Sequence, residues 1–195
     1  VLKEKLIKVA EKANVSERAN ETIRVIDEAI NTISQLKEQI KEIMENITDP
    51  TSVIKEVNTI VSEAQTIESD VDEKVYEFIM VLRDIILDKV ESTISLSESI
   101  TEQPLNITKS ELKKIQTKTK ELEAVIHMLE NLPKDPLRAL EILDKAIDKV
   151  NTLATEIEKT IKEILGATAK KIIEEAKELL DRLSDLKKEL RIVIE

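Results

Sequence analysis

The chain has 195 residues, with 30 Lys and Arg against 40 Asp and Glu, which gives a formal net charge of -10. Apolar residues supply 41% of the chain, enough for a buried core, but aromatic residues supply only 1%. This charge and the scarcity of aromatic rings argue against nucleic-acid binding, which uses basic grooves and stacking platforms. The absence of Cys excludes disulfides and Cys-ligated metals, and a single Gly excludes glycine-rich phosphate-binding loops.

The start of the chain shows no secretory signal. It begins at Val1 rather than Met, lacks a basic start followed by an apolar core, and contains no apolar run long enough to span a membrane. We therefore expect either the product of a maturation step or a piece of a longer protein, with no membrane-spanning segment in these residues.

Apolar residues recur at alternating steps of three and four along most of the chain. This row of side chains, called the seam below, is typical of helices that pack as in a left-handed coiled coil. No segment alternates with a period of two, so the sequence predicts an all-α protein. In residues 1–47 the seam is loose: Leu2, Leu6, Val9, Ala13, Ile23, Ile26, Ile30, Ile33, Ile40 and Ile47. Further on it comprises Ile54, Val57, Val61, Ala64, Val71, Val75, Phe78, Leu82 and Ile85, then Leu140, Leu143, Ile147, Val150, Ala154, Ile157, Ile161 and Ile164, then Ile172, Ala176, Leu179, Leu183, Leu186, Leu190 and Val193.

Capping signals predict the boundaries of four helices. Asp49 and Asp135 each precede a Pro, the preferred order of an N-cap and the first helical position, and Thr108 with Glu111 forms a capping box. The predicted helices cover residues 1–47, 50–102, 109–131 and 137–195.

Two local signals leave alternatives open. Gly166 is compatible with a hairpin turn, but apolar residues continue the seam on both sides, so a continuous helix is favoured. The segment from Asn14 to Glu17 resembles a capping box, and it marks either a helix break or a loosely packed turn.

Together these patterns predict one elongated, antiparallel, coiled-coil-like bundle of three to four long helices over residues 1–195. The second helix alone would be about 75 Å long at 1.5 Å per residue, and the first two helices are nearly equal in length. Ile outnumbers Leu 28 to 21, and Ile at both seam positions favours coiled coils of three or more strands. The enrichment in Lys and Glu is a tendency of thermophile proteins.

A row of carboxylates lies along the second predicted helix. One acidic residue recurs every seven positions: Glu56, Glu63, Asp70, Glu77, Asp84, Glu91 and Glu98. The favoured interpretation is a solvated polar face, and the alternative is a docking surface for a basic partner or for polyvalent cations. The candidate partner-docking residues are Glu63, Asp70, Glu77 and Asp84. Neighbours in the row are about 10 Å apart, too far for one metal ion to bridge. The denser group at Glu68, Asp70, Asp72 and Glu73 lacks the loop and the Gly of a calcium site.

His127 is the single imidazole of the chain and lies in an apolar stretch. We expect a histidine that is satisfied by a hydrogen bond or partly buried, since a bundle metal site would need paired Glu-x-x-His motifs and a catalytic triad would need a base placed beside a nucleophile. The sequence indicates no cofactor, no metal, no small-molecule substrate and no enzymatic activity.

Four asparagines fit the N-x-[Ser/Thr] sequon: Asn14, Asn20, Asn46 and Asn106. Eight Asn would give about one sequon by chance at this Ser and Thr content. Either these residues simply belong to helix caps and polar faces, or the protein is exported and glycosylated. Asn46 and Asn106 are predicted at helix ends, whereas Asn20 is predicted near a core position.

The sequence therefore predicts a structural or interaction protein. We expect an extracellular or cell-surface stalk or spacer that projects or assembles other domains through protein partners or self-association; otherwise the protein is cytoplasmic. The alternative is a receptor-like or adaptor-like bundle that docks a basic partner on its acidic second helix. Lipid binding is a weaker alternative, because the chain is acidic and lacks interfacial aromatic residues.

Overall fold

The computed structural model describes residues 1–46 and 49–194, and the side chains of residues 180, 181 and 183–194 lie outside that description. The described chain is all-α, as predicted, with no strand in these residues. Its helices are α1 (Leu2–Lys12), α2 (Ser16–Glu45), α3 (Pro50–Glu102), α4 (Lys109–Glu130) and α5 (Pro136–Ile194).

The predicted caps at the starts of α3, α4 and α5 are confirmed. Asp49 accepts backbone N–H bonds of 3.0 and 3.2 Å from the first turn of α3, and Asp135 accepts one of 2.9 Å from α5. At α4, the Thr108 N–H donates to the Glu111 carboxylate at 2.8 Å, and the Glu111 N–H donates back to the Thr108 hydroxyl at 3.2 Å. These bonds satisfy backbone donors that have no partner within the helix.

The segment from Asn14 to Glu17 is a helix break, one of the two alternatives that the sequence left open, so residues 1–47 do not form one continuous helix. Asn14 has φ 59°, in the left-handed region that Asn tolerates better than most residues. Its N–H donates to the Glu11 carbonyl at 3.0 Å, and the Val15 N–H donates to the Ala10 carbonyl at 2.9 Å. This pair of bonds is the Schellman motif that ends a helix. Asn14 therefore terminates α1, whereas the sequence pattern indicated a capping box for α2, which has no side-chain cap.

We expect Asn14→Ala to lower the free energy of unfolding by about 1 kcal/mol, because Ala lacks the short polar side chain that lets Asn tolerate the left-handed region. Asn14→Gly should cost nothing measurable, since Gly adopts this conformation without strain. Urea unfolding followed by circular dichroism measures both variants. Equal stability of the two would contradict a left-handed turn at this position.

Two compact units divide the chain. The first consists of Val1–Lys89 with Val125–Lys149, and the second of Val90–Ala124 with Val150–Glu195. Each has its own aliphatic core. In the first unit the core includes Leu6, Val9, Ile26, Val75, Phe78, Leu82, Leu129, Leu140 and Leu143, and in the second Val90, Ile100, Ile115, Leu122, Val150, Ile157 and Ile164.

Within the first unit, α1 and the start of α5 run parallel to each other. Their ion pairs keep a constant offset of 136 residues: Lys5 with Glu141, Lys8 with Asp144 and Lys12 with Asp148. Residue numbers that rise together on both helices define a parallel pair. In the second unit α4 and α5 are antiparallel: Lys118 pairs with Glu156, and the Asn106 N–H donates to the Thr168 hydroxyl at 3.2 Å.

Asp144 lies at the centre of this row of ion pairs. Its carboxylate oxygens are 2.5 Å from Lys12 Nζ and 2.8 Å from Lys8 Nζ. Burial alone raises the pKa of Asp144, but hydrogen bonds and charge from Lys12 and Lys8 outweigh it, so the pKa lies below its ordinary value of 3.8. The pairing of Glu141 with Lys5 lowers the pKa of that carboxyl as well.

A carboxyl with a lowered folded-state pKa stabilises the fold above its ordinary pKa, and this contribution is lost as the pH falls through the folded-state value. We therefore expect the free energy of unfolding to decrease between about pH 4 and pH 2, and to decrease less steeply in Asp144→Asn. Denaturant unfolding at a series of pH values measures the slope. Asp70→Asn, on the exposed face of α3, is the matched control and should leave the slope unchanged.

The predicted seam residues differ widely in burial. All eight seam residues between Leu140 and Ile164 are buried. In contrast, Ile54 and Val61 at the start of α3 are exposed, and so are Ile172 and Leu179 in α5. The last seam positions, Leu183, Leu186, Leu190 and Val193, lie outside the described side chains. α5 passes through Gly166 without a turn.

Candidate functional site

The acidic row of α3 lies at the surface. All seven of its carboxylates are exposed. Glu77 pairs with Lys74 at 2.8 Å and Asp84 with Arg83 at 2.7 Å, both within α3. Among the described residues, Glu63 and Asp70 form no ion pair. The four proposed docking residues therefore do not form one uniform surface, because two of them are already partly neutralised.

A cleft of about 570 Å³ lies between the end of α2 and the start of α3. Ile43, Val53 and Ile60 supply its apolar lining. Four carboxylates also line it and no Lys or Arg does so: Glu42, Asp49, Glu56 and Glu63. A groove that combines a few apolar side chains with unbalanced negative charge is complementary to a basic amphipathic segment.

Of the docking residues predicted from sequence, Glu63 alone belongs to this cleft. Asp70, Glu77 and Asp84 continue along α3 beyond it. Sequence reasoning missed Glu42 and Asp49, because they belong to a different helix and a cap. The pairing of α2 with α3 brings them beside Glu56 and Glu63, and no periodicity within one helix indicates such a pairing.

The four sequon asparagines are all exposed. Asn14 lies in the turn between α1 and α2, and Asn106 lies before α4. Asn46 follows α2 and its side-chain amide donates to the Glu42 carbonyl at 3.0 Å, whereas Thr48 of that sequon lies outside the described residues. Asn20 is exposed on α2 but adjoins the buried Ala19, and Thr22 of its sequon is buried too, so it lies near core positions as expected.

The expectation that His127 is partly buried, one of the two alternatives above, is wrong. Its side chain is 82% exposed, and Nδ1 lies 3.5 Å from a Glu130 carboxylate oxygen on the next turn of α4. The apolar neighbours in sequence misled the prediction, because Val125 and Leu129 are buried on the opposite side of the helix. Within the described residues, no group of three or more His, Asp or Glu side chains is placed to hold a metal ion.

No described helix is long and apolar enough to cross a membrane. The chain is an all-helical bundle, and its helix α3 is acidic. Comparison of the chain with protein-family models, with curated proteins and with solved structures finds no match.

Proposed function

We propose that the chain is a structural protein, an elongated helical stalk or spacer that projects or assembles other domains at a cell surface and is N-glycosylated. The observation that supports it best is the length of two unbroken helices. α3 has 53 residues and α5 has 59, which correspond to about 80 and 90 Å at 1.5 Å per residue. The buried side chains named above belong to the aliphatic seams, which hold the helices side by side.

Small-angle scattering extrapolated to zero protein concentration tests the elongated shape. A compact domain of 195 residues would have a radius of gyration of about 16 Å, whereas a rod as long as α5 would have about 25 Å. We expect the larger value. A radius near that of the compact domain would contradict the proposed stalk.

The proposed surface location predicts glycosylation, and the exposed Asn14 and Asn106 are its best-placed acceptors. We expect the intact mass of the protein from its own source to exceed the 22.1 kDa of the sequence. Asn14→Gln and Asn106→Gln should each remove one increment of mass, whereas Asn58→Gln, outside any sequon, should remove none. An unmodified mass would contradict the surface location.

The cleft between α2 and α3 favours a second candidate, a binding module for a basic partner. The proposed occupant is an amphipathic helix with Lys or Arg beside its apolar face, because the lining carries carboxylates and no cation. This role is compatible with a stalk but does not require one.

A synthetic amphipathic peptide of Leu and Lys at helical spacing is a suitable probe. We expect Glu56→Gln/Glu63→Gln to weaken its binding at least tenfold, with unchanged helicity. The matched control, Asp70→Asn/Glu77→Gln, changes the net charge equally outside the cleft. Neutralising Glu63, Asp70, Glu77 and Asp84 together tests whether the whole acidic row binds the peptide. Equal losses of peptide affinity in the two double variants would indicate that the peptide binds along the row rather than in the cleft.

A further inference from the structure

The final part of α5, residues 165–194 and here called the tail, carries a seam with no partner in the described chain. Ile172 is 60% exposed and Leu179 is 58% exposed, whereas Ile164, one residue before the tail, is fully buried. A single amphipathic helix in water gains little from its own hydrogen bonds, and its stability comes from packing its apolar face. The exposed seam therefore requires a partner.

A register shift separates the tail from the rest of α5. The buried seam places residues 157, 161 and 164 on one side of the helix. The seam of the tail continues from Leu165 through residues 169, 172, 176 and 179, one position later than the buried register predicts. One residue corresponds to a rotation of about 100° around the helix, so the tail presents a different face from the one that packs within the chain.

We propose that the tail pairs, in antiparallel orientation, with the tail of a second copy of this chain. Net charge favours a second copy at this place. Residues 165–195 contain seven basic and seven acidic residues, whereas residues 1–164 contain 23 and 33. Two copies therefore meet without net repulsion along the tail, but they repel each other across the acidic remainder of the chain.

Side-chain volume and charge favour the antiparallel orientation. In a parallel pair, Ala176 would face Ala176 of the second copy and leave a gap, whereas in an antiparallel pair it faces Leu179 of the second copy. The charged residues beside the seam also favour the antiparallel orientation. A parallel pair places Arg182 beside Lys187 of the second copy, whereas an antiparallel pair places Glu175 near Arg182 of the second copy. Glu175 and Arg182 are exposed in the described chain.

This inference deepens the proposed structural function and rests on it, since self-pairing would be the means by which a stalk assembles. Its test is separate, because glycan mass and the radius of gyration at zero concentration do not depend on self-association. A wholly monomeric protein would overturn the pairing of the tail while leaving the stalk in place. A compact, unmodified protein that still pairs would overturn the stalk and leave the pairing in place.

Sedimentation equilibrium of the full chain across a wide range of concentration provides the test. We expect the wild-type protein to approach twice 22.1 kDa and Ile172→Gln/Leu179→Gln to remain at the monomer mass. The control is Ile54→Gln/Val61→Gln, because Ile54 is 62% exposed on α3, outside the tail. It should associate like the wild type. Substitutions at side chains that are already exposed leave the core intact, which circular dichroism verifies.

Two results would overturn the pairing: a monomeric wild type at the highest concentration, or a tail variant that associates as strongly as the wild type. If the α3 control alone failed to associate, the interface would lie on α3 rather than on the tail, and this result too would overturn the proposed pairing. Charge reversal tests the orientation. We expect Glu175→Arg and Arg182→Glu each to weaken association about tenfold, and the double variant Glu175→Arg/Arg182→Glu to restore it. Failure of the double variant to restore association would overturn the antiparallel arrangement.

Discussion

Leu143→Ala is expected to lower the free energy of unfolding by about 3 kcal/mol. Leu143 lies on α5 in the buried core of the first unit and has no exposed surface. Truncation removes buried apolar area and leaves a cavity that neighbouring side chains fill only in part, and both effects destabilise the folded state. Equilibrium unfolding in urea measures the difference, with helicity as the signal.

Leu96→Ala is the matched control for this substitution. The same atoms are removed from a helix, but Leu96 is 41% exposed on α3. We expect a change within about 0.5 kcal/mol, as for surface substitutions in general. Equal losses at Leu143 and Leu96 would contradict the described core of the first unit.

The second large effect is expected at Gly166. A β-carbon added there meets no atom within 4 Å, and the backbone is helical. Gly166→Ala should therefore stabilise the protein by about 1 kcal/mol, because Ala loses less backbone entropy than Gly in a helix. Gly166→Pro should destabilise it by about 3 kcal/mol, since Pro removes a helical hydrogen bond and clashes with the preceding turn.

Helicity at 222 nm and urea unfolding measure both Gly166 variants. The Ala variant also tests the hairpin alternative that the sequence leaves open. At a left-handed hairpin position Ala would be strained and destabilising, whereas Pro, whose φ is fixed at about −65°, would be destabilising in either arrangement. A destabilised Gly166→Ala would thus favour a turn over the continuous α5.

The break at Asn14 shows why local signals can be detected and still misassigned. Asn14, Ser16 and Glu17 have the residue types of an N-terminal capping box, and a capping box and a helix end use overlapping residue types. The backbone φ of Asn14 decides between them. That angle depends on how α1 and α2 pack, as in the ion pair of Lys3 with Asp27 at 2.6 Å, so composition alone cannot supply it.

At the candidate site, too, the sequence identified what lies within one helix and missed what depends on the pairing of two helices. The sequence identified the acidic row, because a seven-residue repeat within one helix is a local property. It did not identify the cleft, because Glu42 and Glu56 meet there only through the pairing of α2 with α3. His127 was misplaced because apolar neighbours along the chain do not specify which side of α4 is buried.

The sequence alone determined that the chain is helical, where α3, α4 and α5 begin, and which side chains form seams, since hydrophobic spacing and caps act within a few residues. Only the tertiary structure decided which seams are covered. Val61 and Val75 lie two heptads apart on α3, yet Val75 is buried and Val61 is exposed. The physical reason is that burial depends on whether other helices pack at that level of the helix, and no pattern within α3 records where its neighbours end.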